Sequence, residues 1–330
     1  MHEAVALAQS ADAPFGENPR VGCVIVDAEG RVVGRGHHRG AGSPHAEVLA
    51  LADAGTRARG ATAVVSLEPC RHTGRTGPCT AALIDAGVAR VVYGQSDPTA
   101  EAGGGAAVLG AAGIEVIGGV EAVAAEAVNE AWTFAVRHAR PMVTWKCAVS
   151  LDGRVADAGG GPTAITGAEA RARVHELRAQ VGAIIVGTGT VLVDDPALTV
   201  RLTEGSAGPR PLRVVLGSRP VPEGFRVRDD SAPTLFLDER DPRAVLALLF
   251  ARGVRHALLE GGPTLAASFL SARVVDVVEW HVAPILLGAG PVALPAFDGR
   301  VQVGVDVLEA GVVGEDVRIV GRVNYGSAES

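Results

Sequence analysis

Three short stretches, Pro44-His45-Ala46-Glu47, Glu68-Pro69-Cys70 and Pro78-Cys79, hold residue types that bind a transition metal. One imidazole and two thiols form a zinc donor set, and three protein ligands leave the fourth tetrahedral position open, as in a catalytic site rather than a closed structural one. A water in that position has its pKa lowered from about 16 to about 7, which makes hydroxide available at neutral pH. Glu47, two residues after His45, is placed to take a proton from that water and deliver it to a leaving amine. In mid-helix, residues two apart point to opposite sides, so the pairing needs a helix start. Ser43 is expected as N-cap, with Pro44 as the first helical residue. Pro69 and Pro78 suit loop-to-helix entries that aim each thiolate inward. Cys23 and Cys147 lie in strand-like runs and read as small buried core residues.

A second set of residues points to phosphate and to a placed charge. Gly187-Thr188-Gly189-Thr190 and Gly261-Gly262-Pro263-Thr264 each follow a strand-like run, where backbone amides can approach phosphate oxygens; the second opens a helix with Pro263 at its first position. A Rossmann G-x-G-x-x-G beginning at Gly187 would need glycine where Leu192 stands, so that fold is not supported. The loop Arg71-His72-Thr73-Gly74-Arg75 has the composition of a phosphate holder. Lys146 is the only lysine in the chain and stands inside the apolar run Val143 to Val149. A charge there is costly to bury unpaired, so it is either functional or on an exposed sheet edge.

The elements that must position these groups alternate. Strand-like runs at Val21–Val26, Arg31–Gly34, Ala63–Leu67, Arg90–Gly94 and Ile114–Ile117 are separated by helical stretches near His45–Ala54, Thr80–Ala86, Ala106–Ala112 and Glu121–Asn129, an α/β pattern. Gly103 to Gly105 reads as a loop, and the charged stretch Phe134 to Pro141 breaks the pattern, so domains are expected over 1–140 and 141–330. The second half repeats the alternation, with strands at Met142–Ser150, Ala183–Val186, Leu212–Leu216, Thr234–Leu237, Ala257–Leu259 and Val274–Val282. Its helices fall near Ala168–Arg178, Pro242–Phe250 and Thr264–Leu270, before a closing strand-and-turn region. With 330 residues, 48 % apolar and a net charge of −7, the chain suits two folded domains acting on small molecules and argues against a nucleic-acid binder. It shows no signal-peptide pattern and no uncharged apolar run of roughly 18 residues, so a cytoplasmic protein with no membrane partner is expected.

The general zinc-deaminase pattern is H-x-E followed by P-C-x-x-C; here eight residues separate Cys70 from Cys79. With that spacing, PHAE, LEPCRHTGRTGPC and ENPRVGCVIV together resemble the deaminase half of the bifunctional riboflavin-biosynthesis deaminase/reductases. The resemblance continues through WKCAVSLDGRVA, ITG, HELRAQVGAIIVGTGTVLVDDPALTVR and LLEGGPTLAASFL. It implies an N-terminal cytidine-deaminase-like three-layer domain with one zinc per chain and a C-terminal dihydrofolate-reductase-like domain that binds NADPH. The implied chemistry is hydrolytic deamination of a diamino-pyrimidinone ribosylamino phosphate, followed by reduction of its ribosyl group to ribityl.

Positions matching the family's substrate contacts are Asn18, His38, His72 and Arg75 in the first half and Arg178, Leu198 and Arg201 in the second. Those matching its dinucleotide contacts are Ala148, Thr190, Asp194, Ser218, Gly262, Pro263 and Thr264; Lys146 and Glu260 would hold the reacting end of the sugar. A phosphorylated pyrimidine as substrate and a homo-oligomeric state are also implied. The chain departs from the family at Arg71-His72-Thr73, Asp97-Pro98-Thr99 and Pro162-Thr163-Ala164. The last departure keeps open an alternative in which the second domain is a non-catalytic binding or assembly module.

Overall fold

In the computed structural model, which describes residues 1–73, 77–159, 161, 164–202, 208–295 and 303–326, the chain divides into two units, Met1–His138 and Ala139–Ser330. The first unit is built on β1 (Gly22–Val26), β2 (Val32–His37), β3 (Thr62–Leu67), β4 (Arg90–Gln95) and β5 (Glu115–Ile117), in spatial order β2-β1-β3-β4-β5. β1 is antiparallel to both β2 and β3, whereas β3, β4 and β5 are parallel. Its helices are α1 (His2–Ala8), α2 (Ala46–Ala54), α3 (Cys79–Ala86), α4 (Gly105–Ala111), α5 (Ala122–Val128) and α6 (Glu130–His138).

Side chains alternate across this sheet. Cys23, Ile25, Ala63, Val65 and Val91 form one core with Ala46, Ala50 and Ala54 of α2, Leu83 of α3 and Leu109 of α4. Val5 and Ala8 of α1 pack with Ala125 and Val128 of α5 in a separate cluster. An added Cβ at Gly34 or Gly36 would lie 2.2 or 2.3 Å from the carbonyl oxygens of Ala50 and Ala46. These two glycines therefore let α2 rest directly on β2, which fixes where the α2 N-terminus begins.

The second unit holds an eight-stranded sheet of β6 (Met142–Ser150), β7 (Ala183–Gly187), β8 (Leu212–Leu216), β9 (Thr234–Leu237), β10 (His256–Leu259), β11 (Val277–Ala283), β12 (Gly304–Val313) and β13 (Asp316–Asn324). The order is β12-β13-β11-β6-β10-β7-β8-β9. From β11 to β9 the strands are parallel, and β12 and β13 form an antiparallel hairpin beside β11. α7 (Ala168–Ala179), α8 (Thr188–Asp194), α9 (Pro242–Ala251) and α10 (Pro263–Ser271) complete it. Val143, Trp145, Cys147 and Val149 face Val245, Leu246 and Leu249 of α9 and Phe269 of α10. Ile184, Val186, Val215 and Leu258 meet Leu177 of α7 and Val191 of α8 on the other side.

Two local expectations are corrected and one alternative is excluded. Phe134 to His138 does not break the chain but completes α6, with Thr133 and Ala135 buried and the Phe134 ring 4.3 Å from that of His138 one turn on. Gly187 closes β7 and is the N-cap of α8, so the first glycine stretch also opens a helix. Gly103 to Gly105 is not only a loop, because Gly105 opens α4. Lys146 is not an edge charge, because β6 lies between β11 and β10. Among the described residues, no helix is long and apolar enough to cross a membrane.

Candidate functional site

His45 is the N-cap of α2, in extended backbone (φ −69°, ψ 159°), and Cys79 is the first residue of α3 behind Pro78. Cys70 lies in the loop after β3. Nδ1 of His45 is 3.1 Å from Sγ of Cys79 and 3.6 Å from Sγ of Cys70, and the three donor atoms lie within 4.8 Å of one another. The helix starts later than Ser43-Pro44 suggests. The Ser43 hydroxyl donates to the Gly40 carbonyl at 2.7 Å and accepts from the Arg39 N–H, so it closes the preceding turn instead of capping. With His45 in non-helical backbone and Glu47 at the second helical position, the opposition of residues two apart does not apply.

The electrostatics fit a dication. Hydrogen bonds from Cys79 and His45 bring the Cys70 thiol down to about 4, while the same contact with Cys70 and burial push the Cys79 thiol up. The hydrogen bond to Cys70 in turn raises His45. Two bare thiolates this close repel each other; a divalent ion held between the three donors allows both sulfurs to be charged. Glu47 is 4 % exposed, and burial raises its carboxyl above the ordinary range.

Around this cluster the His38 ring meets that of His45 edge-on, centroids 5.5 Å apart, and Nδ2 of Asn18 lies 3.3 Å from Nε2 of His38. The structure therefore brings Asn18 and His38 beside the donor set. His72 is half-buried, with Nδ1 buried and without a hydrogen-bond partner among the described residues. Arg75 lies outside the described residues.

Sequence reasoning missed the residues that hold this site from behind. Glu68 accepts from the N–H groups of Asp97, Gly104 and Ala106, tying the loop before α4 to the strand that leads into Cys70. At Gly105 a Cβ would fall 1.8 Å from the Pro69 carbonyl oxygen. Asn129, between α5 and α6, accepts from Arg20 N at 2.8 Å and donates to Arg20 O at 2.9 Å, pinning the segment that carries Asn18. The Glu-Pro-Cys spacing was a signal for Glu68, whereas nothing local marks Asn129.

In the second unit a cleft of about 1070 Å³ runs along β6 and past the ends of β7, β8 and β10. Lys146, Ala148, Thr190, Asp194, Glu260 and the Gly262–Thr264 turn line it. Gly262 caps α10 with Pro263 in its first turn, and its N–H donates to Oγ1 of Thr190 at 3.1 Å, which joins the two glycine turns. Ser218 is exposed, between Gly217 and Arg219 of the cleft wall. Burial raises Asp194.

Arg178 donates through Nε and Nη2 to the two oxygens of Glu260 at 2.6 and 2.7 Å. Burial alone would raise that carboxyl, but Arg178 holds it below the ordinary range. Arg201 lies beside His175, its Nη2 3.3 Å from Nε2 of that ring. Leu198 is 2 % exposed and packs in the core with Val186, Val191 and Val227, and it is not part of the cleft lining. Burial lowers the Lys146 pKa against the pull of Glu260. Of the departure at 162–164, Ala164 lines the cleft; Pro162 and Thr163 lie outside the described residues.

The family model for the cytidine and deoxycytidylate deaminase zinc-binding region matches residues 1–95, and that for the RibD C-terminal domain matches residues 141–317. The riboflavin biosynthesis protein RibD of Mycobacterium tuberculosis strain H37Rv is 52 % identical over 277 residues, covering 83 % of this chain and 80 % of the relative. That of Escherichia coli K12 is 41 % identical over 323 residues, 88 % of each. A solved structure of Acinetobacter baumannii RibD superposes with a TM-score of 0.90 at 34 % identity, covering 98 % of this chain and 97 % of that one. The Thermotoga maritima diaminohydroxyphosphoribosylaminopyrimidine deaminase/5-amino-6-(5-phosphoribosylamino)uracil reductase gives 0.89 at 33 % identity with the same coverage.

Proposed function

The chain belongs to the RibD family of riboflavin-biosynthesis proteins, a deaminase joined to a reductase, and from that premise we propose that it acts on two successive intermediates. It first removes ammonia hydrolytically from a diamino-pyrimidinone ribosylamino phosphate, then reduces the ribosyl group of the product to ribityl with NADPH. The observation that carries the first step is the convergence of His45, Cys70 and Cys79 next to buried Glu47. These three side chains would hold the zinc, which when bound makes water nucleophilic at neutral pH. Glu47 takes the proton released as the C–O bond forms and passes it to the departing nitrogen as the C–N bond breaks. A carboxyl whose proton affinity is raised by burial suits a group that must keep that proton between the two transfers. Asn18 and His38, with His72 and Arg75 of the loop between the cysteines, would orient the phosphorylated substrate.

In the second unit the amides of the Gly262–Thr264 turn, at the start of α10, favour a dinucleotide pyrophosphate. Ala148, Thr190, Asp194 and Ser218 would complete the NADPH site, and the cofactor supplies hydride. Lys146 and Glu260 hold the sugar's reacting end, with Arg178, Leu198 and Arg201 on the substrate side. The homo-oligomeric state and cytoplasmic location belong to the same reading. The test couples metal analysis to product identification in the full chain: one zinc per chain, ammonia released, then NADPH consumed with the deaminated product. Absence of ammonia from zinc-loaded protein overturns the first half. Absence of NADPH oxidation leaves the second unit a binding or assembly module.

A further inference from the structure

Lys146 has a second carboxylate neighbour that the reductive reading does not use. β11 runs parallel to β6 with Glu279 in register with Lys146, and residues paired on adjacent strands share a face, about 5 Å apart. The ammonium therefore has Glu260 beyond β10 on one side and Glu279 of β11 on the other. Glu279 is 3 % exposed. It accepts from Arg318 Nε at 2.9 Å and Nη2 at 3.2 Å, and Nε2 of His281 lies 3.2 Å away. Arg318, on β13, also reaches Glu309 of β12 at 2.8 Å. With Arg178 clamped on Glu260, the charges alternate across the sheet as Arg178, Glu260, Lys146, Glu279 and Arg318.

Each carboxylate in this row is held by its own arginine, and Lys146 has no ion pair within 4.0 Å among the described residues. A cation in the middle of a sheet is expensive without compensating charge. Here the compensation comes as a field rather than a contact, which leaves the ammonium's hydrogens for a ligand in the cleft. We propose that Glu279, fixed by Arg318, is a positioning residue for reduction: together with Glu260 it keeps Lys146 protonated in the cleft without bonding to it. This rests on the reading that Lys146 touches the substrate.

The groups facing Lys146 divide by sign. Burial lowers its pKa, Glu260, the adjacent Cys147 and Glu279 oppose that fall, and Arg178 adds to it. Burial alone would raise Glu279, but hydrogen bonds from His281 and Arg318 take it down to about 2, so it stays charged throughout the working range.

The experiment measures kcat/KM for reduction against pH in the full chain, with the deaminated intermediate as substrate, alongside NADPH binding and ammonia release. In Glu279→Gln the basic limb is expected to move down by about one pH unit, because a negative neighbour of the ammonium is gone. NADPH affinity and ammonia release stay as in the parent, and Glu279→Asp restores most of the limb. Arg318→Met, which leaves the buried Glu279 carboxyl without the partner that keeps it charged and in place, moves the limb downward as well. A uniform loss at every pH, or an unmoved limb, overturns the role. If Glu279→Gln does not fold, Arg318→Met decides by the same criterion. Lys146→Met separates the two levels: normal reduction in that variant defeats the underlying reading, whereas an inactive Lys146→Met with an unmoved limb in Glu279→Gln defeats only this inference.

Discussion

Nδ1 of His45 lies 3.1 Å from Sγ of Cys79, although 34 positions separate the two residues in the chain. That contact exists because two helices begin there, α2 with His45 as its cap and α3 with Cys79 as its first residue. Replacing Cys79 by alanine removes one of three donors and leaves the other two unable to hold the ion against competing chelators. Zinc content by mass spectrometry is expected to fall to background and ammonia release with it. NADPH-dependent reduction of the deaminated intermediate should persist, because every residue assigned to it belongs to the second unit. Chelator-treated parent protein should regain ammonia release on adding zinc, and Cys79→Ala should not. A variant that keeps stoichiometric zinc shows that the cluster is not the metal site.

Glu47 tests proton transfer apart from metal binding. Glu47→Gln keeps the side-chain shape and removes the ionisable group, so zinc content is expected to stay at one per chain. Ammonia release should drop by about 10²–10⁴-fold, the usual worth of a placed acid-base group. Zinc analysis and the deaminase rate on the same sample check both halves, and an unchanged rate dismisses the proton-transfer role.

Gly105 offers a test of the support behind the ligand loop. A methyl group there would stand 1.8 Å from the Pro69 oxygen, next to Cys70, and backbone cannot move aside cheaply. Gly105→Ala is expected to cost about 1–3 kcal/mol of stability, as overpacking does, and to speed zinc loss to a chromophoric chelator. Gly110, in the same helix with nothing within 4 Å of a Cβ, is the control. Gly110→Ala should stabilise by about 0.5–1 kcal/mol and leave zinc release unchanged. Equal behaviour of the two variants in melting and zinc-release assays defeats the steric argument.

What could be read in advance follows from how local each signal is. Alternating apolar runs placed β6, β8 and β9 at their observed residues, because the signal lies inside the strand itself. α1 was not legible: seven residues hold a helix there only because Gly22, far along the chain, leaves room for it, with a Cβ that would meet the Ala4 oxygen at 2.0 Å. The donors His45, Cys70 and Cys79 were readable because their residue types are chemically unusual. Glu279 and Asn129 were not, since an acid in a strand and an amide between helices acquire meaning only from partners brought in by the sheet and by Arg20.

Nε2 of His256 lies 2.8 Å from Oγ1 of Thr144, and burial takes the ring down to about 4 from its ordinary 6.5. Between those values the unfolded chain binds a proton that the folded protein refuses, so stability is fully present above pH 6.5 and falls as the pH drops toward 4. Fully expressed, that difference is worth about 3 kcal/mol. Burial also lowers His38 and His175, which act in the same direction. Urea midpoints should therefore fall on going from about pH 7.5 to about pH 5. His256→Gln, which can still bond to Thr144 but does not titrate, should show a shallower fall in the unfolding of the second unit. If its pH dependence matches that of the parent, His256 is not the source, and the acid sensitivity belongs to the other buried rings.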